Sequence, residues 1–147
     1  MKTLALFGLL GSFVLVAAGC AGVAREGQSL AVPVSPQVWH RVDLYGVGAR
    51  FISPSRLAFL TSGSPSCPPA PYKLVVENAH SVRIDLTTGS RRRPAGSTCS
   101  LARVLSPVAV AIDPTQIDVH HRLRVSLYYF TGDAALVRPV VLTAPPL

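Results

Sequence analysis

Lysine is nearly missing from this chain. Of 147 residues only Lys2 and Lys73 carry an ammonium, and arginine supplies the rest of the 14 basic side chains. Carboxylates are also few, seven in all: Glu26, Asp43, Glu77, Asp85, Asp113, Asp118 and Asp133. Paired-acid hydrolysis needs two acids in a shaped cleft with one pKa raised. Glu77 and Asp85 flank a hairpin and could come near each other across it, and a structural pairing with Lys73 or Arg83 is the plainer use for them. No Cys-x-x-Cys occurs, which removes the paired ligand spacing of structural zinc. The histidines His40, His80, His120 and His121 show neither a His-x-His nor a His-x-x-x-His spacing. On a strand, His120 and His121 would point to opposite faces and could not grip one metal. No Gly-x-Ser-x-Gly elbow is present, so Ser64 and Ser66, in a proline-rich loop, read as turn formers. A sustained helical stripe is missing as well, and 13 prolines with 11 glycines argue against long helices.

One long apolar run is present. Lys2 is followed by Leu4 to Val16 without a charge, and the next charge is Arg25. The run ends on Ala17-Ala18-Gly19-Cys20. A charged start, an apolar stretch and a small-residue exit describe a secretory signal. This arrangement resembles a bacterial lipoprotein signal peptide, in which the cysteine after the cut receives a diacylglycerol on its sulfur and its freed amine is acylated in turn. Ala17 stands where that family most often has leucine. The resemblance implies residues 1–19 as a signal peptide, lipidation at Cys20 and an extracytoplasmic address. An uncut transmembrane anchor or an ordinary signal-peptidase cut are the alternatives, and each also exports the rest of the chain.

Three cysteines in an exported chain leave an odd thiol to explain. If lipid consumes Cys20, the resemblance leaves Cys67 and Cys99 as one pair in an oxidising compartment. Two free buried thiols are the alternative.

The 128 residues beyond the signal peptide (147 − 19) suffice for one domain. Net charge falls from +7 to +6 without Lys2, a value compatible with an ordinary soluble surface. Residues 20–37 read as a flexible tether rich in Gly, Ser and Pro, part of which, Leu30 to Val34, can instead dock as an edge strand. Residues 38–147 read as the folded domain. Val38, His40, Val42 and Leu44 alternate with Trp39, Arg41, Asp43 and Tyr45 as a strand. Leu57 to Thr61 is a short apolar run. Tyr72 to Glu77 and Ser81 to Thr87 form a hairpin around Asn78, Ala79 and His80. Cys99 to Leu105, Val108 to Ile112, Leu123 to Tyr129 and Ala135 to Leu142 complete the set, with Pro139 marking a sheet edge. Such a series implies an all-β fold, an antiparallel β-sandwich of immunoglobulin-like topology, with a small barrel as the alternative. The Cys-Trp-Cys order of a true immunoglobulin domain is absent, since Trp39 precedes both Cys67 and Cys99. The stretch from Ser66-Cys67-Pro68-Pro69 through the hairpin to Cys99 and Val108–Ile112 is similar to small secreted or lipid-anchored β domains of high-GC Gram-positive bacteria. That likeness spans roughly residues 61–130 and carries no activity with it.

These features favour a lipid-anchored cell-envelope protein acting as a non-catalytic binding or accessory module, with no cofactor. Its anchor makes the membrane a partner. Arg91, Arg92 and Arg93, on a glycine-flanked loop, are candidates for clasping anionic envelope polymers or lipid headgroups, and as a charged loop they can equally stay solvated. Nucleic acid is excluded as a partner by compartment and by the lack of interleaved aromatics. A small envelope hydrolase is the alternative function. Pro68-Pro69-Ala70-Pro71 either docks as polyproline II or stiffens the start of a strand.

Overall fold

A computed structural model describes residues 22–23, 29–88, 98–131, 134–135 and 138–147. Among them are nine strands and one short helix: β1 Gly22–Val23, α1 Pro36–Trp39, β2 Ala49–Ser53, β3 Arg56–Gly63, β4 Ala70–Asn78, β5 Ser81–Thr87, β6 Val104–Ala111, β7 Leu123–Thr131, β8 Ala134–Ala135 and β9 Val140–Ala144. They form two sheets. A six-stranded sheet runs β1-β4-β5-β7-β8, with β9 also on β7, and a three-stranded sheet runs β2-β3-β6. No closed barrel forms among the described residues, and the arrangement is β-sandwich-like.

The alternating side chains account for the packing. Val82, Ile84 and Leu86 of β5 and Leu123, Val125 and Leu127 of β7 are fully buried, as are Leu57 and Phe59 of β3 in the opposite sheet. These residues belong to one apolar cluster, so the core lies between the two sheets. Its burial from water is the main stabilising term of the fold.

The β4–β5 hairpin is antiparallel, with Leu74 opposite Ile84 and Val76 opposite Val82. Asn78 turns it by accepting the His80 N–H on Oδ1 at 2.9 Å. By contrast β5 and β7 are parallel, with Val82 beside Val125 and Leu86 beside Tyr129. The six-stranded sheet is therefore mixed, not purely antiparallel as the sequence suggested. The physical reason is the route of the chain, which leaves β5, lays β6 in the other sheet and returns beside β5 in the same direction. Parallel neighbours need such a long connection.

Three expected strands are corrected. Residues 38–45 do not form one. Pro36 fixes a helical φ at the first helical position, Trp39 N–H bonds Ser35 O at 3.2 Å and His40 N–H bonds Pro36 O at 3.0 Å, so these donors serve a turn and not a ladder. Only Leu44 of the alternating set is buried. Cys99 is not in a strand either, since β6 starts at Val104. The last strand begins after Pro139, which stands outside β9 because it has no N–H to give the ladder. Two strands were missed: β1, which falls within residues 20–37, and the longer β2. The latter follows Gly48, whose φ of 74° suits glycine.

The segment before α1 docks. Leu30 N–H bonds Pro71 O of β4 at 2.7 Å, Val32 N–H bonds Ala109 O of β6 at 2.8 Å, and Ala31 pairs with Val110. Thus Leu30 to Val32 ties one sheet to the other. On the opposite flank Gly48 pairs with Thr143 of β9.

Candidate functional site

The chain crosses from sheet to sheet after β3 and again after β5. Cys67 lies in the first connection and Cys99 in the second, and they form a disulfide with 5.5 Å between Cα atoms. The bond fastens two crossovers at one end of the molecule. Hydroxyls reinforce it. Ser64 Oγ lies 3.0 Å from Ser66 Oγ and 2.9 Å from Ser100 Oγ, and Ser66 Oγ accepts the Ser100 N–H at 2.9 Å. Cys67 N–H bonds Ser64 O at 3.1 Å, which makes Ser64 to Cys67 the turn its composition implied. Pro69 then packs on Gly63. A Cβ built at Gly63 would lie 2.3 Å from Pro69 Cδ, so only glycine admits this contact. The proline run leads directly into β4.

Beside the disulfide opens a cleft of about 490 Å³. Its apolar walls are the disulfide, Pro69, Ala102, Leu101 and Val140, and its polar groups include Arg103 and Tyr129. Leu101 is fully exposed at the rim, whereas Tyr129 is only 8% exposed. Tyr129 ends the alternating series of β7, and its ring sits in the core while its hydroxyl crosses to the other sheet and accepts the Ser62 N–H at 3.1 Å. That acceptance leaves the phenolic O–H as a donor. Burial pushes the Tyr129 phenol above its usual pKa, opposed by the Ser62 hydrogen bond and the positive charge of Arg103. Arg103 makes no ion pair with a described residue. Thr88 and Thr131, whose hydroxyls are 2.8 Å apart, line the same cleft where β5 and β7 end. A second cleft, of about 410 Å³, lies on the far side of Cys67 among Ser29, Pro68 and Val108, and no charged side chain lines it among the described residues.

Because β5 and β7 run parallel, their starts share the opposite end. There His121 Nδ1 is 2.7 Å from Asp118 Oδ2, and the rings of His80 and His121 meet edge to face at 5.4 Å. Asp118 also accepts the His120 N–H at 3.0 Å. That bond, ahead of the His121 contact, holds the Asp118 carboxyl below its ordinary pKa. His120 and His121 lie in the turn before β7 and not on a strand, which is how His121 swings toward His80. Among the described residues no three metal-ligating groups are placed to hold an ion. His40 is exposed after α1.

The two acids of the hairpin do not meet. Glu77 Oε2 accepts the Ser81 hydroxyl at 2.6 Å. Asp85, 3% exposed, takes Arg83 in a fork at 2.6 and 3.2 Å, and the guanidinium also lies 4.3 Å from the Tyr128 ring centre. Hydrogen bonding to Asp85 raises the Arg83 pKa. Cys20 and the run Arg91, Arg92 and Arg93 fall outside the described residues. The sequence reading missed the cleft groups Leu101, Arg103 and Tyr129. The available signal was Tyr129 itself, an aromatic with a polar tip at the end of a buried face.

No protein-family model matches the chain, and no similar protein is found among curated sequences or solved structures.

Proposed function

We propose that this chain is a lipid-anchored, non-catalytic binding module of the cell envelope, displayed on the extracytoplasmic face of a membrane, and that its ligand occupies the cleft beside Cys67–Cys99. The observation that carries the binding role is the cleft's make-up: apolar walls with a small number of polar groups, the pattern of a small-molecule site. Export is supported by the disulfide, which persists in oxidising compartments, and the anchor by the Ala17–Cys20 tetrad. The cleft lies away from the Asp118–His121 pair, and the nearby serine hydroxyls bond one another, so its side chains are set to hold a ligand. The membrane is a partner through the acyl chain on Cys20, and Arg91, Arg92 and Arg93 add attraction to anionic headgroups or envelope polymers. An immunoglobulin-like sandwich behind a signal helix is the finer fold reading within this proposal. The repeated crossing between sheets supports it, and the parallel β5–β7 pair is its departure from that pattern.

The test is the intact mass, and the extractable small molecules, of the full chain isolated from its membrane. A mature chain that begins at an acylated Cys20, and a small molecule held by wild type but lost from Leu101→Asp, are the expected results. A free thiol at Cys20, or retention of residues 1–19, would overturn the anchor. Equal extracts from wild type and Leu101→Asp would overturn the cleft as the ligand site.

A further inference from the structure

We infer that the cleft takes a single-chain anionic amphiphile, with the carboxylate or phosphate at Arg103 and Tyr129 and the hydrocarbon against the disulfide, Pro69, Leu101 and Val140. This rests on reading the cleft as the ligand site and adds the class of ligand. Two kinds of surface meet there. The disulfide, the proline ring and the aliphatic side chains offer contact to methylenes and no hydrogen bond. The polar side offers donors: the guanidinium of Arg103, which carries N–H groups and no acceptor, and the Tyr129 O–H, freed because that oxygen already accepts Ser62 N–H. A carboxylate or phosphate is the acceptor that matches both, and Arg binds such groups in a fork. A cationic head would face Arg103 with like charge. The cleft holds about 490 Å³, within the roughly 300–1,000 Å³ usual for small-molecule sites. At its rim Leu101 is fully exposed and Val140 is 43% exposed, so apolar contact continues to the mouth, where a chain longer than the cleft would emerge.

The probe set is straight-chain fatty acids, the matched fatty alcohols and the matched monoacyl phosphates. The readout is native mass spectrometry of the full chain released from detergent micelles. Wild type should retain one anion per chain, about ten-fold more strongly than the alcohol of equal length. Each added methylene should tighten binding by roughly four-fold, equivalent to about 0.8 kcal/mol, until the cleft is full. Arg103→Gln should abolish the preference for anion over alcohol and keep alcohol binding, whereas Leu101→Asp should weaken both. Both side chains are exposed, and unchanged circular dichroism checks the fold of each variant. A preference for carboxylate identifies a free fatty acid as the source, and a preference for phosphate a lipid headgroup. Acid and alcohol retained alike, or an anion preference that survives Arg103→Gln, would overturn the anionic class while leaving the cleft as the site. If wild type retains none of the probes yet still yields a co-purifying molecule sensitive to Leu101→Asp, the amphiphile class falls alone. With no such molecule the reading of the cleft falls with it.

Discussion

Breaking the Cys67–Cys99 bond is the sharpest test of how this fold is held. The two residues are 32 apart in sequence. In the chain-entropy treatment, closing a loop of that size removes about 3.7 kcal/mol of denatured-state entropy. Small domains are stable by only about 5–15 kcal/mol, so a large share of the stability depends on one bond. Cys67→Ala with Cys99→Ala should lower the urea midpoint by roughly 2 M, taking an m-value of about 1–3 kcal/mol/M. The thermal midpoint should fall by roughly 10–20 °C. Each single variant should lose nearly as much as the double, because either one removes the same cross-link and the effects cannot add. Reduction of wild type should reproduce the loss. The assay is equilibrium urea unfolding followed by circular dichroism, with and without reductant. A loss below about 1 kcal/mol would refute the reasoning, since it would mean that the unfolded chain gains little freedom when its two crossovers are released.

Gly63→Ala should destabilise the domain by about 1–3 kcal/mol through overpacking against the Pro69 ring, while Gly46→Ala, whose Cβ would come no closer than 3.6 Å to Asp43 Oδ2, should stay within about 0.5 kcal/mol in the same urea assay. Tyr129→Phe should cost about 1 kcal/mol by leaving the Ser62 N–H without its acceptor. The folded Tyr129 pKa lies above its unfolded value of 10.0, so its contribution is complete below that pH and is lost as pH rises through the folded value; an alkaline unfolding series on Tyr129→Phe should therefore be flatter than on wild type. Asp113, held low chiefly by the Thr115 hydroxyl, and Asp118, held low chiefly by the His120 N–H, contribute stability above the ordinary carboxylate pKa that is lost as pH falls through their folded values. Thermal melts of Asp113→Asn with Asp118→Asn should show a shallower loss on acidification.

The hairpin and β7 were legible because alternation, turn chemistry and burial agree there: Asn78 closes the turn, and Leu123, Val125 and Leu127 all lie in the core. Residues 38–45 misled because alternation reports faces, not backbone partners, and Pro36 diverted the donors into a turn. The parallel β5–β7 pair was invisible because the same pattern suits either strand direction once a strand is half-buried. At the site, the cysteines could be paired by counting, given the lipoprotein resemblance. Tyr129 ends the alternation that begins at Leu123, and the structure buries it with Leu123, Val125 and Leu127. What the sequence did not reveal is that Ser62 lies across from it, since that contact joins residues 67 apart. Arg103 and Leu101 gave no signal, because their place beside the cleft comes from where the second crossover passes and not from any local pattern.

The two flanking stitches, Ala31 to Val110 and Gly48 to Thr143, have a consequence for how copies of the molecule behave when crowded. Each occupies backbone along the rim of a sheet, where an unpaired strand would otherwise template a neighbour. Molecules packed side by side should thus meet through loops and side chains, and slide past one another without annealing into ribbons.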